Sequence, residues 1–204
     1  GRGQVVDAAM VDGAGSLASI FYGLHAGGTW DQPRGGNLLD GGAPFYDTYE
    51  TADGRWVSLG PLEPKFFAEF ARLVGLDPRF VQRQYDRREW PTMREAIAAL
   101  FKGRTRDEWC TLLEGSDACF APVLDFAEAP QHRHARARGG FVSVDGVPQP
   151  APAPRFDRSV PAAPRAAPRL GEHTRSVLAE AGFDASAIDA LLASGAAVQA
   201  QEGA

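Results

Sequence analysis

Phe45-Tyr46-Asp47-Thr48-Tyr49-Glu50-Thr51-Ala52-Asp53-Gly54-Arg55-Trp56-Val57-Ser58-Leu59-Gly60 sets two runs of aromatic and β-branched residues, 45–51 and 55–60, on either side of an Asp-Gly pair. Strand-forming runs joined by that dipeptide predict an antiparallel hairpin. Pro64 then suits a first helical residue, where no N–H donor is needed. Phe66, Phe67, Phe70, Leu73 and Val74 follow as one apolar face, and Gly75 is a stop signal. A second helix is expected from Pro91 through Met93, Ile97 and Leu100 to Gly103. Thr105 and Glu108 have the spacing of a capping box for a third, with Trp109, Leu112 and Leu113 facing inward. Residues 119–124 return as a strand. Pro122 has no N–H to give to a ladder, which assigns that strand to an edge or a bulge. The sum is an α+β unit.

Away from this unit the chain changes character. On the N-terminal side Val5-Val6 predicts a short strand, and Asp7 an N-cap for a helix carrying Met10, Ala14, Leu17, Phe21 and Leu24 at helical spacing. Gly27, Gly28, Pro33, Gly35, Gly36, Gly41 and Gly42 follow as a connector. On the C-terminal side seven of the 15 prolines fall between Pro148 and Pro168. That density is incompatible with a helix and predicts an extended strap. Beyond it, helices are expected over 172–181, ended by Gly182, and over 185–193, ended by Gly195, with 199–204 fraying.

Twenty-one basic against 26 acidic side chains give a net charge of −5, so no general field attracts a phosphate backbone and no nucleic-acid partner is expected. Cys110 and Cys119 lie outside any CxxC pattern, which disfavours a disulfide scaffold or a zinc site and predicts inert core thiols in a reducing, cytoplasmic setting. No run approaches the roughly 18 apolar residues that cross a bilayer, so no membrane partner is expected. Gly1 to Val6 reads as a turn feeding a strand with nothing before it to pair against, and a fragment of a longer chain is expected.

Glu63 precedes the proline of a helix start, where Ser, Thr, Asp or Asn would cap better. A residue before proline is held extended, so its carboxylate would project from a strand-to-helix corner. Spacing alone fits a solvated or weakly capping glutamate first and a site group second. His132 and His134 are flanked by Arg133, Arg136 and Arg138, positive neighbours that repel a cation, so no metal site is expected there. Met10, Leu38, Tyr46 and Tyr49 are packing residues by default. No P-loop, nucleophile elbow or dinucleotide fingerprint is present. These observations name no reaction.

Gly3-Gln4-Val5-Val6-Asp7-Ala8-Ala9-Met10-Val11-Asp12-Gly13, Asn37-Leu38-Leu39-Asp40-Gly41-Gly42-Ala43-Pro44-Phe45-Tyr46-Asp47-Thr48-Tyr49 and Leu62-Glu63-Pro64 resemble the α-methylacyl-CoA racemases of the family III CoA-transferase superfamily. So do Ser116-Asp117-Ala118-Cys119, Ala121-Pro122-Val123-Leu124, Pro152-Ala153-Pro154-Arg155-Phe156 and Leu170-Gly171-Glu172-His173-Thr174. The resemblance implies a small α+β domain joined to terminal pieces of a large Rossmann-like α/β domain, in an interlocked homodimer. Residues 1–27 would be the end of the large domain, 28–42 a crossing linker and 43–145 the small domain. Residues 146–169 would be the return linker, and 170–204 helices rejoining the large domain.

The same resemblance implies epimerisation of a 2-methylacyl-CoA through an enolate, with no cofactor because CoA is part of the substrate. Glu63 matches a glutamate that assists a histidine of the other subunit. That histidine and a partner aspartate belong upstream of Gly1, so the chain alone is expected to be inactive. Tyr46 matches a tyrosine near the reacting centre, and Met10, Leu38 and Leu62 fall near the surface that carries the acyl chain. Two alternatives stay open: a CoA-transferase with an upstream aspartyl nucleophile, and a non-catalytic interaction module.

Overall fold

The computed structural model describes residues 1–31 and 33–201, which divide into two units, residues 1–125 and residues from 126 onward. The first unit contains α1 (Met10–Leu17), α2 (Ser19–Ala26), β1 (Asp47–Glu50), β2 (Trp56–Leu59), α3 (Pro64–Val74), α4 (Pro78–Gln82), α5 (Trp90–Phe101), α6 (Arg106–Leu113) and β3 (Phe120–Pro122). Its sheet has the order β1-β2-β3, antiparallel throughout, with Tyr49 opposite Val57 and Leu59 opposite Phe120.

The expected hairpin is present. Its loop runs from Thr51 to Arg55, because Thr51 Oγ1 bonds both Asp53 Oδ1 (2.5 Å) and Arg55 O (3.0 Å). Asp53 also accepts the Arg106 N–H at 3.1 Å, tying the turn to the first turn of α6. Strand alternation buries Tyr49, Val57 and Leu59 on one face and leaves Thr48 and Trp56 exposed. Over the buried face Phe101 stacks on Tyr49 (5.4 Å between centroids) and on Phe70 (6.0 Å), and meets Trp109 edge-on at 5.2 Å. Phe67, Met93, Ile97 and Leu113 belong to the same core, with Phe45, Phe80 and Trp90. Pro122 lies on an edge strand as expected. The ladder passes from Gly60 N–H on Cys119 O to Val123 N–H on Trp56 O, both 2.9 Å, and asks nothing of the proline nitrogen.

Helix boundaries follow their local signals. Pro64 is the first residue of α3, and Gly75, at φ 70°, ends it in the left-handed conformation. The Thr105–Glu108 capping box forms completely. The short helix α4 starts at an Asp-Pro pair, with Asp77 accepting from Arg79 N–H at 2.9 Å. Sequence periodicity missed it because five residues carry too little of a repeat.

The N-terminal expectations need correction. Val5 and Val6 form no strand: Val5 is 96% exposed, and a strand exists only where a neighbour completes its ladder. Asp7 does not cap; the helix starts after Ala9 with no side-chain cap. One expected helix is two, parted at Ala18 (ψ −3°), where Ser19 Oγ bonds Ser16 O at 2.7 Å and competes with the backbone ladder.

The second unit holds a 3₁₀ turn at Ala129–Gln131, then α7 (Arg133–Ala137), β4 (Phe141–Val144), β5 (Val147–Pro150), α8 (Thr174–Glu180) and α9 (Ala185–Ala193). Val144 pairs with Val147, so Asp145 and Gly146, at φ 52° and 76°, form a two-residue primed turn. The proline-rich stretch therefore begins as a strand. Its prolines at 148 and 150 alternate with Val147, Gln149 and Ala151, so the ring nitrogens fall at the outward positions of the register, and Ala151 N–H reaches Gly140 O at 2.9 Å. Fraying of 199–204 holds less widely than expected. Gln199 accepts from Arg175 N–H (3.0 Å) and donates to Glu172 O (2.8 Å), and residues 202–204 lie outside the described residues. No helix among the described residues is long and apolar enough to cross a membrane.

Candidate active site

Four residues, Gly60-Pro61-Leu62-Glu63, turn the chain from β2 into α3. Gly60 donates to Cys119 O (2.9 Å), and Leu62 N–H folds back onto Gly60 O (2.8 Å). From across the unit, Gln84 Nε2 donates to Pro61 O (3.0 Å) and Leu62 O (2.9 Å), and the Tyr85 hydroxyl donates to the same Leu62 O. Glu63 itself is extended, at φ −73° and ψ 139°, the conformation a following proline favours. Its carbonyl starts the helix by accepting from Phe66 (3.0 Å) and Phe67 (3.1 Å). Its exposed carboxylate makes no capping bond and keeps its acceptor capacity for a visitor.

Tyr46 stands beside this corner. Its ring carbons are 3.8 Å from where a Cβ on Gly60 would lie, and it is 39% exposed. Leu62 is half-buried against the core, as is Leu38 from the preceding loop. Met10 is 91% exposed on α1 and joins no core cluster. An open groove of about 420 Å³ lined by Lys65, Phe66, Glu69, Gly115, Ser116 and Asp117 borders the corner on the α3 side.

The loop carrying Leu38 is a closed knot of polar bonds. Buried Asn37 accepts from Asp31 N–H (2.7 Å) and donates from Nδ2 to Asp31 O (3.0 Å) and Asp40 Oδ2 (2.7 Å). Asp40 also accepts the backbone N–H groups of Asn37, Gly35 and Gly42. Arg94, in an ion pair with Asp47, donates to Gly41 O (2.7 Å) and Gly42 O (3.0 Å) and fastens the knot to α5 and β1. Burial pushes the Asp40 carboxyl up, but the bonds from Asn37, Gly35 and Gly42 outweigh it and hold it below its ordinary value.

A folded-state pKa below the unfolded one means stability that is present above the unfolded value, about 3.9, and lost as pH falls through the folded value. The urea midpoint is therefore expected to drop as pH falls below about 5, and Asp40→Asn to remove part of that dependence. A variant with the wild-type pH dependence would show that Asp40 takes no part in it.

The profile of CoA-transferase family III matches residues 1–174. The chain belongs to this family. The α-methylacyl-CoA racemase of Mus musculus is 46% identical over 187 residues, 90% of this chain and 49% of that protein. The Homo sapiens racemase is 41% identical over 186 residues, with 90% and 48% covered. The chain thus spans about half the length of the curated relatives it matches. A crystal structure of a CAIB/BAIF family protein from Brucella suis superposes at a TM-score of 0.56 with 21% identity, covering 82% of this chain and 45% of that one, which shows a shared fold.

Within this family III chain, the corner brings Glu63, Tyr46 and Leu62 together and leaves Met10 unpacked. It also adds Cys119, a correction to the expectation of a core thiol. Cys119 is exposed and held at φ 48°, a left-handed conformation, at the residue that leads into β3. Partial desolvation of its sulfur, then the charges of Glu63 and Asp117, push the thiol pKa up. Alkylation of Cys119 by iodoacetamide near neutral pH is expected to be slow, and Glu63→Gln to accelerate it. An unchanged rate would place the carboxylate too far away to be felt.

Cys110, half-buried, is pushed up to about 11 chiefly by desolvation and fits the expected inert thiol. Sequence reading missed Gln84 and Tyr85, which stand in a polar stretch with no periodicity and act on residues 22 and 23 positions away. Among the described residues no group of His, Cys, Asp and Glu could hold a metal ion.

Proposed function

We propose that the intact protein epimerises 2-methylacyl-CoA thioesters, removing the C2 proton to give an enolate and returning a proton to the opposite face. The observation that carries this reading is the 46% and 41% identity to two racemases across 90% of the chain. The geometry of Glu63 supports it. Two acid/base groups must flank the reacting carbon, and in this proposal an imidazole and a second carboxyl outside these 204 residues supply them. Glu63, from one protomer of an interlocked homodimer, accepts the imidazole N–H of the other. It orients the ring and stabilises the imidazolium that forms when the C2 proton is taken. Tyr46, Leu38 and Leu62 offer the acyl chain a largely apolar wall, with Met10 contributing from α1. No cofactor takes part, and these 204 residues alone give no turnover.

The test is deuterium incorporation at C2 when the full-length protein is incubated in D₂O with a single (2R)- or (2S)-2-methylacyl-CoA and no acceptor acid. Exchange accompanied by loss of stereochemical purity is expected. No exchange, but movement of CoA to an added free carboxylate, would instead establish a transferase.

A further inference from the structure

We infer that Gln84 and Tyr85 are positioning residues for Glu63, an inference that rests on the proposed role of that carboxylate. Leu62 O, the carbonyl of the peptide unit that leads into Glu63, accepts from both Gln84 Nε2 and the Tyr85 hydroxyl, and Gln84 takes Pro61 O as well. On the other side Pro64 fixes its own φ and keeps Glu63 extended. The backbone of Glu63 is therefore held at both ends while its side chain stays available.

The clamp is itself braced. Trp90 Nε1 donates to Gln84 O at 2.9 Å, and the Tyr85 ring meets Phe45 edge-on at 5.6 Å. Core stability alone does not account for Gln84. It is 3% exposed, and its Oε1 has no hydrogen-bond partner among the described residues, an arrangement that costs stability relative to an apolar side chain of similar size. Its amide nitrogen, by contrast, serves both carbonyls of the corner. Tyr85 is 52% exposed, so its hydroxyl could bond water at no loss, yet it is directed at Leu62 O. Precise placement of a group that steadies a reacting ring is where such bonds have their largest effect.

The test uses the full-length enzyme and C2 exchange. Tyr85→Phe is expected to lower kcat about fivefold, the value of one hydrogen bond, with KM unchanged. It should move the imidazole limb of the kcat–pH profile to lower pH, the direction expected of Glu63→Gln. Gln84→Met, which keeps the volume and removes the donor, is expected to do the same. In a Glu63→Gln background neither change should cost anything further. A loss of equal size in that background, a loss confined to KM, or full activity of both variants while Glu63→Gln is impaired overturns this inference alone. Full activity of Glu63→Gln overturns the proposed role of Glu63 and this inference with it.

Discussion

Glu63→Gln in the full-length protein is expected to slow the proposed C2 exchange by about 10²- to 10⁴-fold, the range for losing an oriented acid/base group or its orienting carboxylate. KM for the thioester should change by less than about threefold, since the side chain is proposed to touch the imidazole and not the CoA. Glutamine keeps the length and can still accept a hydrogen bond, so the loss isolates the negative charge that favours an imidazolium. Stability should barely move. Glu63 is exposed, gives no capping bond to α3, and the corner's bonds run through backbone carbonyls and the side chains of Gln84 and Tyr85. Exchange within about twofold of wild type would remove Glu63 from the mechanism. Equal loss of activity and of folded protein would assign it a structural role.

Gly42→Ala is expected to cost about 3 kcal/mol or more in unfolding free energy. A Cβ at this position would lie 2.5 Å from Asn37 O, 2.6 Å from Asn37 N and 2.7 Å from Gly36 C, all backbone atoms. Relief by a small shift is blocked on each side. Gly42 N–H bonds Asn37 O at 3.1 Å, Asn37 is buried in its bonds to Asp31 and Asp40, and Arg94 holds Gly42 O from α5. Two neighbouring glycines serve as controls. Gly36→Ala would place its Cβ 3.5 Å from Pro33 O, an ordinary contact, and should be nearly silent. Gly41→Ala meets open space but sits at φ 90°, so only backbone strain of about 1–2 kcal/mol is expected. Urea unfolding of the three variants checks the order. A Gly42→Ala protein as stable as Gly36→Ala would mean that the knot opens freely, and Leu38 would then not be held where the acyl chain is proposed to lie.

Much of the first unit was legible because its signals are local. Pro64, Gly75, the Thr105–Glu108 pair and Pro122 each act through stereochemistry or donors within a few residues, and each stands where that logic puts it. A local turn signal of the same kind stands at Asp145-Gly146, but the prolines from Pro148 onward pointed to an extended strap alone. The register accommodates them by spacing them two apart, on the side of the strand that needs no donor. Val5-Val6 erred the other way. Its composition favours a strand, but composition cannot supply the neighbouring strand a ladder requires.

The candidate site divides along the same line. Order along the chain was enough to mark Glu63 as an acid at a strand-to-helix corner and a poor cap, because proline acts on the residue before it. Bringing Cys119 and the Tyr46 ring to that corner, and giving Leu62 O to Gln84 and Tyr85, took the folded unit. The reason is that carbonyls turned away from a strand or helix have no partner within reach along the chain. Which distant donors satisfy them is settled only when the core has packed.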